Sequence, residues 1–261
     1  MSRVVFGVAA AAVIAFVTHR ARLLSTSGAV AASIIGSLAV ASAWNWGALL
    51  VLYFVVAAAL SRFGRREKEE RTRTVIAKAG PRDAAQVLAN GGVFAAAALG
   101  NAAFPNPAWA IVAAASLAAS EADTSATEIG TLVGGEPRSI IRGERLPPGT
   151  SGGVTAIGTV ASLFGAAFVA LAAFALGVVD RASSAWTLLA CGFFGATLDS
   201  ILGATIQSRR WCDACHLSTE HRIHRCGRVT RVVAGLSWLD NDGVNLASAA
   251  AAGLLAALVA Q

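Results

Sequence analysis

The sequence predicts an all-α protein: a polytopic transmembrane helix bundle whose polar loops gather on one face. Three observations carry that expectation. Only 14% of the 261 residues are charged and 56% are hydrophobic, against a charged share of about 25% in soluble domains. Charge-free stretches recur at 4–17, 23–60, 84–120, 146–179, 182–198 and 243–261, and several reach the roughly 20 residues that cross a bilayer core. A soluble fold could bury one or two such stretches, not six. Finally, the cations are confined to alternate loops. Eight apolar segments result, at 3–19, 28–43, 46–61, 85–104, 108–122, 152–178, 184–207 and 243–260, with six to eight true spans among them. They make one integral-membrane domain over 1–261, with polar loops near 62–84, 123–151 and 208–242.

Taken in order, segment 3–19 reads as a retained helix, because no small-residue cleavage site leads from it into a soluble domain. The loop after it holds Arg20 and Arg22. Segments 28–43 and 46–61 form the next pair. Loop 62–84 then carries Arg62, Arg65, Arg66, Lys68, Arg71, Arg73, Lys78 and Arg82. Segment 85–104 opens with Gln86 and Asn90, four apart on one helical face. Segment 108–122 runs into "SEADTSATEIG", which supplies Glu121, Asp123, Thr124, Thr127 and Glu128. Loop 123–151 adds Arg138, Arg142 and Arg145. Segment 152–178 is entered through "PPGTSGGVTAIGT", residues 147–159. Segment 184–207 holds Asp199 in an otherwise uncharged helix, about 12 Å beneath its end, with Gly203 and Gln207 following on its face. Loop 208–242 contributes Arg209, Arg210, Arg222, Arg225, Arg228 and Arg231. "LDNDGVN", with Asp240, Asn241, Asp242 and Asn245, opens the last segment.

If the segments cross in turn, these four loops share one side and hold nineteen of the 21 Lys and Arg; the other side keeps Arg3 and Arg181. The positive-inside rule makes the rich side cytoplasmic and puts both termini opposite, as in a bacterial-type inner membrane. The net charge of +6 then follows from topology, and nucleic acid is not needed as a partner.

The polar patches all fall on that one face. Each has a plain explanation in isolation. Asp240 or Asp242 could cap the last helix, Gln86 and Asn90 could bond helix to helix, and Glu121 and Asp123 could face water. Asp199 is harder to dismiss, since a carboxylate within a span costs several kcal/mol unless paired. Together, carboxylates, carboxamides, a lysine, arginines and a glycine-rich loop form the parts of a phosphate site with a divalent cation. Mg²⁺ takes oxygen ligands, commonly one or two carboxylates plus substrate phosphates. The glycine-rich loop could be an anion-binding nest at a helix start, or a place where small residues let helices pack closely. It is not a P-loop: no G-x-x-x-x-G-K-[ST] occurs, and the only lysines are Lys68 and Lys78.

"CDACHLSTEHRIHRC", 212–226, is a separate signal. Cys212, Cys215, His224 and Cys226 could close a structural tetrahedral zinc site, with His216 or His221 as alternative histidines. An unmetallated loop is the competing reading. C-x₂-C-H also matches a c-type haem attachment motif, but the inferred cytoplasmic side argues against haem and against a disulfide.

The motifs "RDAAQVLANGG", "ADTSATEIG", "PPGTSGGVTAIGT", "LDSILGATIQ", the Cys/His loop and "LDNDGVN" run in order from about 82 to 245. Together they resemble an integral-membrane family that includes the plant phytyl-phosphate kinase of the vitamin E pathway, its bacterial and archaeal relatives, and transmembrane protein 19 of animals. Thr127 stands where a serine is expected and keeps the hydroxyl. The resemblance implies an isoprenoid monophosphate kinase. Such an enzyme moves the γ-phosphate of a nucleoside triphosphate (CTP or another) to a membrane-embedded phytyl or prenyl phosphate, giving the diphosphate. Asp123, Asp199, Asp240 and Asp242 would be the catalytic, Mg²⁺-binding carboxylates. Lys78, Arg82 and Arg138 would neutralise phosphate, and Thr150, Ser151, Gly152 and Gly153 would cradle it. Gln86, Asn90, Thr124, Glu128, Gln207, Asn241 and Asn245 would orient ligands. The alternatives are a CTP-dependent nucleotidyltransferase on a lipid phosphate, and a transporter or scramblase. The latter would place its polar residues near mid-membrane and on both sides.

Overall fold

Each apolar segment becomes a helix, and the helix limits follow local capping chemistry. The computed structural model describes residues 2–77 and 80–260, so Lys78 lies outside the described residues. In chain order, α1 is Ser2–Arg20, α2 Thr26–Ser42, α3 Trp44–Arg62, the short α4 Arg65–Thr72, α5 Ala84–Ala103 and α6 Pro107–Val133. The chain continues with α7 Ala156–Ala175, α8 Ala182–Thr205 and α9 Asn241–Val259. Ser25, Asp83, Asn106, Thr155 and Asp240 cap α2, α5, α6, α7 and α9, each side chain accepting from a backbone N–H of the first turn, which satisfies donors that the helix itself cannot. Among the described residues α3, α7, α8 and α9 are long and apolar enough to cross a membrane, and Val4–Arg20 and α2 are shorter apolar helices.

α6 is the hub. It touches α3, α4, α5, α7, α8 and α9, and every residue from Ala113 to Ala122 is buried. A helix buried all round needs neighbours that approach closely, and small residues supply that approach. A Cβ on Gly192 of α8 would meet the Ala118 Cβ at 2.7 Å, and one on Gly165 of α7 would meet the Glu121 carbonyl oxygen at 2.7 Å. The core is correspondingly rich in alanine, with Phe94, Leu117, Val169 and Leu188 as its larger members. The outward faces of α1 and α7 stay apolar, as Phe6, Phe16, Phe164 and Leu171 illustrate.

Three loops depart from the sequence expectation. α6 does not stop near residue 122 but continues to Val133, so Asp123, Thr124 and Glu128 project from a helix rather than a loop. Loop 62–84 contains α4, stabilised by i,i+4 pairs Arg65–Glu69 and Arg71–Glu67. Residues 208–240 form an insert with a three-stranded antiparallel sheet. Its strands are β3 Arg209–Cys212, β4 Leu217–Thr219 and β5 Arg231–Ala234, in the order β4-β3-β5. A second pairing joins Arg138–Ser139, β1, to Gly153–Val154, β2. α7 therefore begins at Ala156, after β2, and not at residue 152.

Candidate functional site

Alternating helix direction delivers the polar patches to one end of the bundle. There α3, α6 and α8 end and α5, α7 and α9 begin. Between them lies a cavity of ≈ 930 Å³. Its wall contains Arg82, Gln86 and Asn90 from α5 and the turn before it, and Asp123, Thr124 and Glu128 from α6. The turn before β2 and its first residue give Thr150, Ser151, Gly152 and Gly153; α8 and the residues after it give Asp199 and Gln207; α9 and its cap give Asp240, Asn241, Asp242 and Asn245. Arg138 is not part of this wall. It is exposed, and its guanidinium donates to the Gly143 carbonyl at 3.0 Å. Its β1 position directs it away, while Pro137 and Ile140 on either side line the cavity.

Asp199 is buried (9% exposed), six residues before the end of α8, about 9 Å deep. Ser248 Oγ on α9 donates to its Oδ2 at 3.0 Å. Asp123, on α6, lies within its electrostatic reach. Among the described residues neither carboxylate forms an ion pair. Two interacting carboxylates near one end of the bundle, neither ion-paired among the described residues, suit a bound cation. Glu128 is differently placed: it pairs with the buried Lys68, whose Nζ also donates to the Leu60 carbonyl at 2.7 Å. Lys68 so neutralises Glu128 and the C-terminal end of α3 together.

At the other wall, Gln207 Nε2 donates to Ser151 Oγ at 2.7 Å and to Glu220 Oε1 at 3.0 Å, and Ser151 Oγ donates to the same Glu220 oxygen at 3.0 Å. This ties the glycine-rich turn to the insert. Burial pushes the Glu220 carboxyl above its ordinary range; the Ser151 and Gln207 hydrogen bonds pull it partly back, and the Asp240 charge adds to the rise.

The glycines of the turn serve geometry first. Gly149 and Gly152 have φ of +84° and +77°, and a Cβ on Gly152 would strike Ala204 of α8, whose Cα lies 2.6 Å from that position. The Thr150 and Gly153 amides are consumed inside the turn, donating to Pro147 and Thr150 carbonyls at 3.1 and 3.0 Å. An anion nest made from those amides is therefore not formed. Among the described residues, Thr150 Oγ1 has no hydrogen-bond partner, and neither does the buried Asn245 Oδ1.

Several assigned side chains have structural duties as well. Gln86 completes a capping box with Asp83, the two exchanging bonds at 3.1 and 2.9 Å. Asn90 Nδ2 donates to the Gln86 carbonyl at 2.9 Å, and Asp240 Oδ1 accepts from Gly243 N at 3.2 Å. Lys68, Glu220 and Ser248 are the wall or support residues that sequence reasoning missed. Lys68 was hidden in a run of surface-like charges. Glu220 was hidden between metal-ligand candidates. Ser248 was the legible one, three residues beyond Asn245 on the same face of α9.

Beside the polar cavity runs an apolar groove of ≈ 550 Å³ between α1, α2, α3 and α5. Small residues such as Ala11, Ala32, Gly36 and Ala48 leave the space, and Trp44 marks its far end. Phe54, Arg82, Gln86 and Asn90 line both cavities, so the groove meets the polar site there.

In the insert, Cys212, Cys215, His224 and Cys226 bring their ligand atoms within 4.8 Å of one another. His216 and His221 are not members of that cluster.

Comparison with known proteins agrees with this architecture. Protein PGR of Arabidopsis thaliana is 28% identical over 94% of this chain and 92% of its own length. Protein VTE6, chloroplastic, from the same plant is 28% identical over 91% of this chain and 66% of its own. An uncharacterized membrane protein of Methanocaldococcus jannaschii is 29% identical over 76% of this chain and 80% of its own. No solved structure matches. The model of the family described as integral membrane protein DUF92 matches residues 9–253, and the chain belongs to that family.

Proposed function

We propose that this protein is a kinase of a membrane-embedded isoprenoid monophosphate, transferring the γ-phosphate of a nucleoside triphosphate to the lipid phosphate. The observation that carries the reading is the junction of the two cavities. A polar cavity rich in carboxylates and cations opens into an apolar groove at Phe54, Arg82, Gln86 and Asn90. A single-chain lipid phosphate has those two halves, and the polar half leaves room for a second anionic substrate. The motif resemblance to the plant phytyl-phosphate kinases and the similarity to Protein VTE6 point the same way.

In this reading the lipid tail lies in the groove and its phosphate reaches the cavity past Arg82. The nucleophile, a phosphate oxygen, is already anionic, so the protein needs no strong general base. Its work is positioning and charge neutralisation. Arg82 offsets lipid phosphate charge. Thr150 Oγ1, without a hydrogen-bond partner among the described residues, offers a hydroxyl that can donate to a phosphate oxygen, and the Asn245 amide lines the same cavity. Asp123, Asp199, Asp240 and Asp242 all line the cavity and offer oxygen donors of the kind Mg²⁺ takes, with Asp123 and Asp199 the two whose charges interact. When bound, the ion would neutralise charge on the transferring phosphoryl group. The nucleotide would arrive from the cation-rich side, which the positive-inside rule makes cytoplasmic.

The test is purified protein in detergent with Mg²⁺, a panel of nucleotides and prenyl monophosphates of several lengths. Label from the γ-phosphate should appear in a prenyl diphosphate. Label from the α-phosphate would make the protein a nucleotidyltransferase, and no labelled lipid from any pair would remove the kinase reading.

A further inference from the structure

The insert of residues 208–240 has a feature that phosphoryl transfer does not use: it has almost no apolar core. Its buried side chains are Cys212, Thr219, His224, Thr230 and Leu239, with Leu239 the one aliphatic among them. Ile223, Val229 and Val233 are all exposed. A three-stranded sheet of three or four residues per strand needs a hydrophobic face or another staple to hold its shape. The alternatives available in this segment are a disulfide or a metal.

The three cysteines of the cluster are free, and the geometry fits the second. Cys212 Sγ and Cys226 Sγ are 3.6 Å apart, and His224 Nδ1 is 3.2 Å from Cys226 Sγ. A disulfide requires about 2.05 Å. Thiolates about 2.3 Å from a tetrahedral zinc ion sit about 3.8 Å from each other. The backbone builds this approach. Cys212 closes β3 and Cys215 lies in the β3–β4 turn, which His216 closes in the left-handed region (φ 53°) with its N–H on the Cys212 carbonyl at 2.9 Å. Facing them, the His224 N–H donates to the Arg228 carbonyl and the Gly227 N–H to the His224 carbonyl, both at 2.8 Å, folding 224–228 into a second tight turn. Two turns thus present two ligands each.

We propose that Cys212, Cys215, His224 and Cys226 bind one structural zinc ion, which folds the insert and sets Glu220 in the wall of the polar cavity. The link to Glu220 is short. β4 ends at Thr219, the Glu220 N–H donates to the Val75 carbonyl at 2.9 Å, and the Glu220 carboxylate holds Ser151 and Gln207. The ion takes no part in any reaction and the site stands whatever the enzyme's substrate.

Metal analysis of the full-length protein, purified in detergent without chelator, tests this. About one zinc ion per chain is expected, as for a closed four-ligand site. The Cys212→Ser and Cys226→Ser variants should lose at least about nine-tenths of it, whereas Cys191→Ser, His216→Ala and His221→Ala should keep it. Because a ligand variant may simply not fold, wild-type protein gives a second readout. Stripping zinc with a chelator should open the insert to trypsin at Arg222, Arg225 and Arg228, and Co²⁺ added to the stripped, reduced protein should give a thiolate-to-cobalt charge-transfer band. Wild-type protein without zinc and without that band overturns the proposal. So does full zinc content in the Cys212→Ser and Cys226→Ser proteins, or iron in place of zinc.

Discussion

At the scale of single residues, the carboxylates divide by what already touches them. Glu128 is spent on Lys68, and one oxygen of Asp240 on a helix cap. Asp199 and Asp123 are neighbouring cavity carboxylates with no ion pair among the described residues, held on two helices that pack closely through small residues. Asp199→Asn preserves volume and the Ser248 hydrogen bond while removing the charge. It should lower phosphoryl transfer at least about 100-fold, the usual scale for losing one preorganised electrostatic partner, with thermal stability unchanged or raised. Turnover within a few-fold of wild type would take Asp199 out of the cation site. Glu220 makes a separate, pH-dependent prediction. Burial raises its folded pKa above the ordinary 4.5, so the folded state holds this proton to higher pH than the unfolded chain does. The resulting stabilisation is complete below the unfolded value and is lost as pH rises through the folded one. Glu220→Gln keeps an acceptor for Ser151 and Gln207 but cannot ionise. The Tm of this variant relative to wild type should therefore climb as pH rises above 4.5. A Tm difference that stays flat with pH would show that Glu220 ionises as it does in water.

At the scale of elements, most helices were legible because capping chemistry and apolar runs coincide. Asp83, Asp240 and Thr155 stand where an apolar segment starts, and the structure uses all three as caps. The C-terminal half of α6 was not legible. "ADTSATEIG" is too polar to look like a buried helix, yet Ser125, Gly130 and Leu132 are buried and Lys68 covers the Glu128 charge. The glycine-rich turn was seen with two readings open, an anion nest or close helix packing, and the structure shows the close packing. Sequence cannot distinguish a glycine that admits a ligand from one that admits a neighbouring helix, and at Gly152 it is α8 that comes close. This can be tested by comparing two substitutions. Gly135→Ala, at φ +75° with no atom near its Cβ, pays only the left-handed backbone cost of about 1–2 kcal/mol. Gly152→Ala, at φ +77°, adds a collision with backbone atoms of Ala204. It should lose clearly more, by about another 1–3 kcal/mol of overpacking, read as a larger fall in unfolding midpoint. Equal losses would mean that the turn can withdraw from α8.

At the scale of the whole molecule, charge alternation predicted that the polar patches would meet, and sixteen-odd scattered residues do line one cavity because helix direction alternates. The groove was not predictable in that way. It exists because α1 packs on α2 rather than on α3 or α5, with small residues such as Ala11, Gly36 and Ala48 along the opening, and spacing between helices leaves no periodic trace in sequence. Its position yields a prediction that depends on the proposed function and can fail separately from it. Ala48 lines the groove well away from the polar residues. Phenylalanine there should displace part of a long lipid tail. Two CH₂ groups kept from apolar contact cost about 1.6 kcal/mol, about 10-fold in KM. A five-carbon prenyl phosphate need not extend that far. Ala48→Phe should thus raise KM at least about 10-fold for a twenty-carbon prenyl phosphate and leave the five-carbon substrate within about two-fold, with kcat little changed on both. Equal loss on both substrates would signal general damage to the fold. An unaltered KM for the long substrate would place the tail outside this groove, with the kinase activity itself still intact.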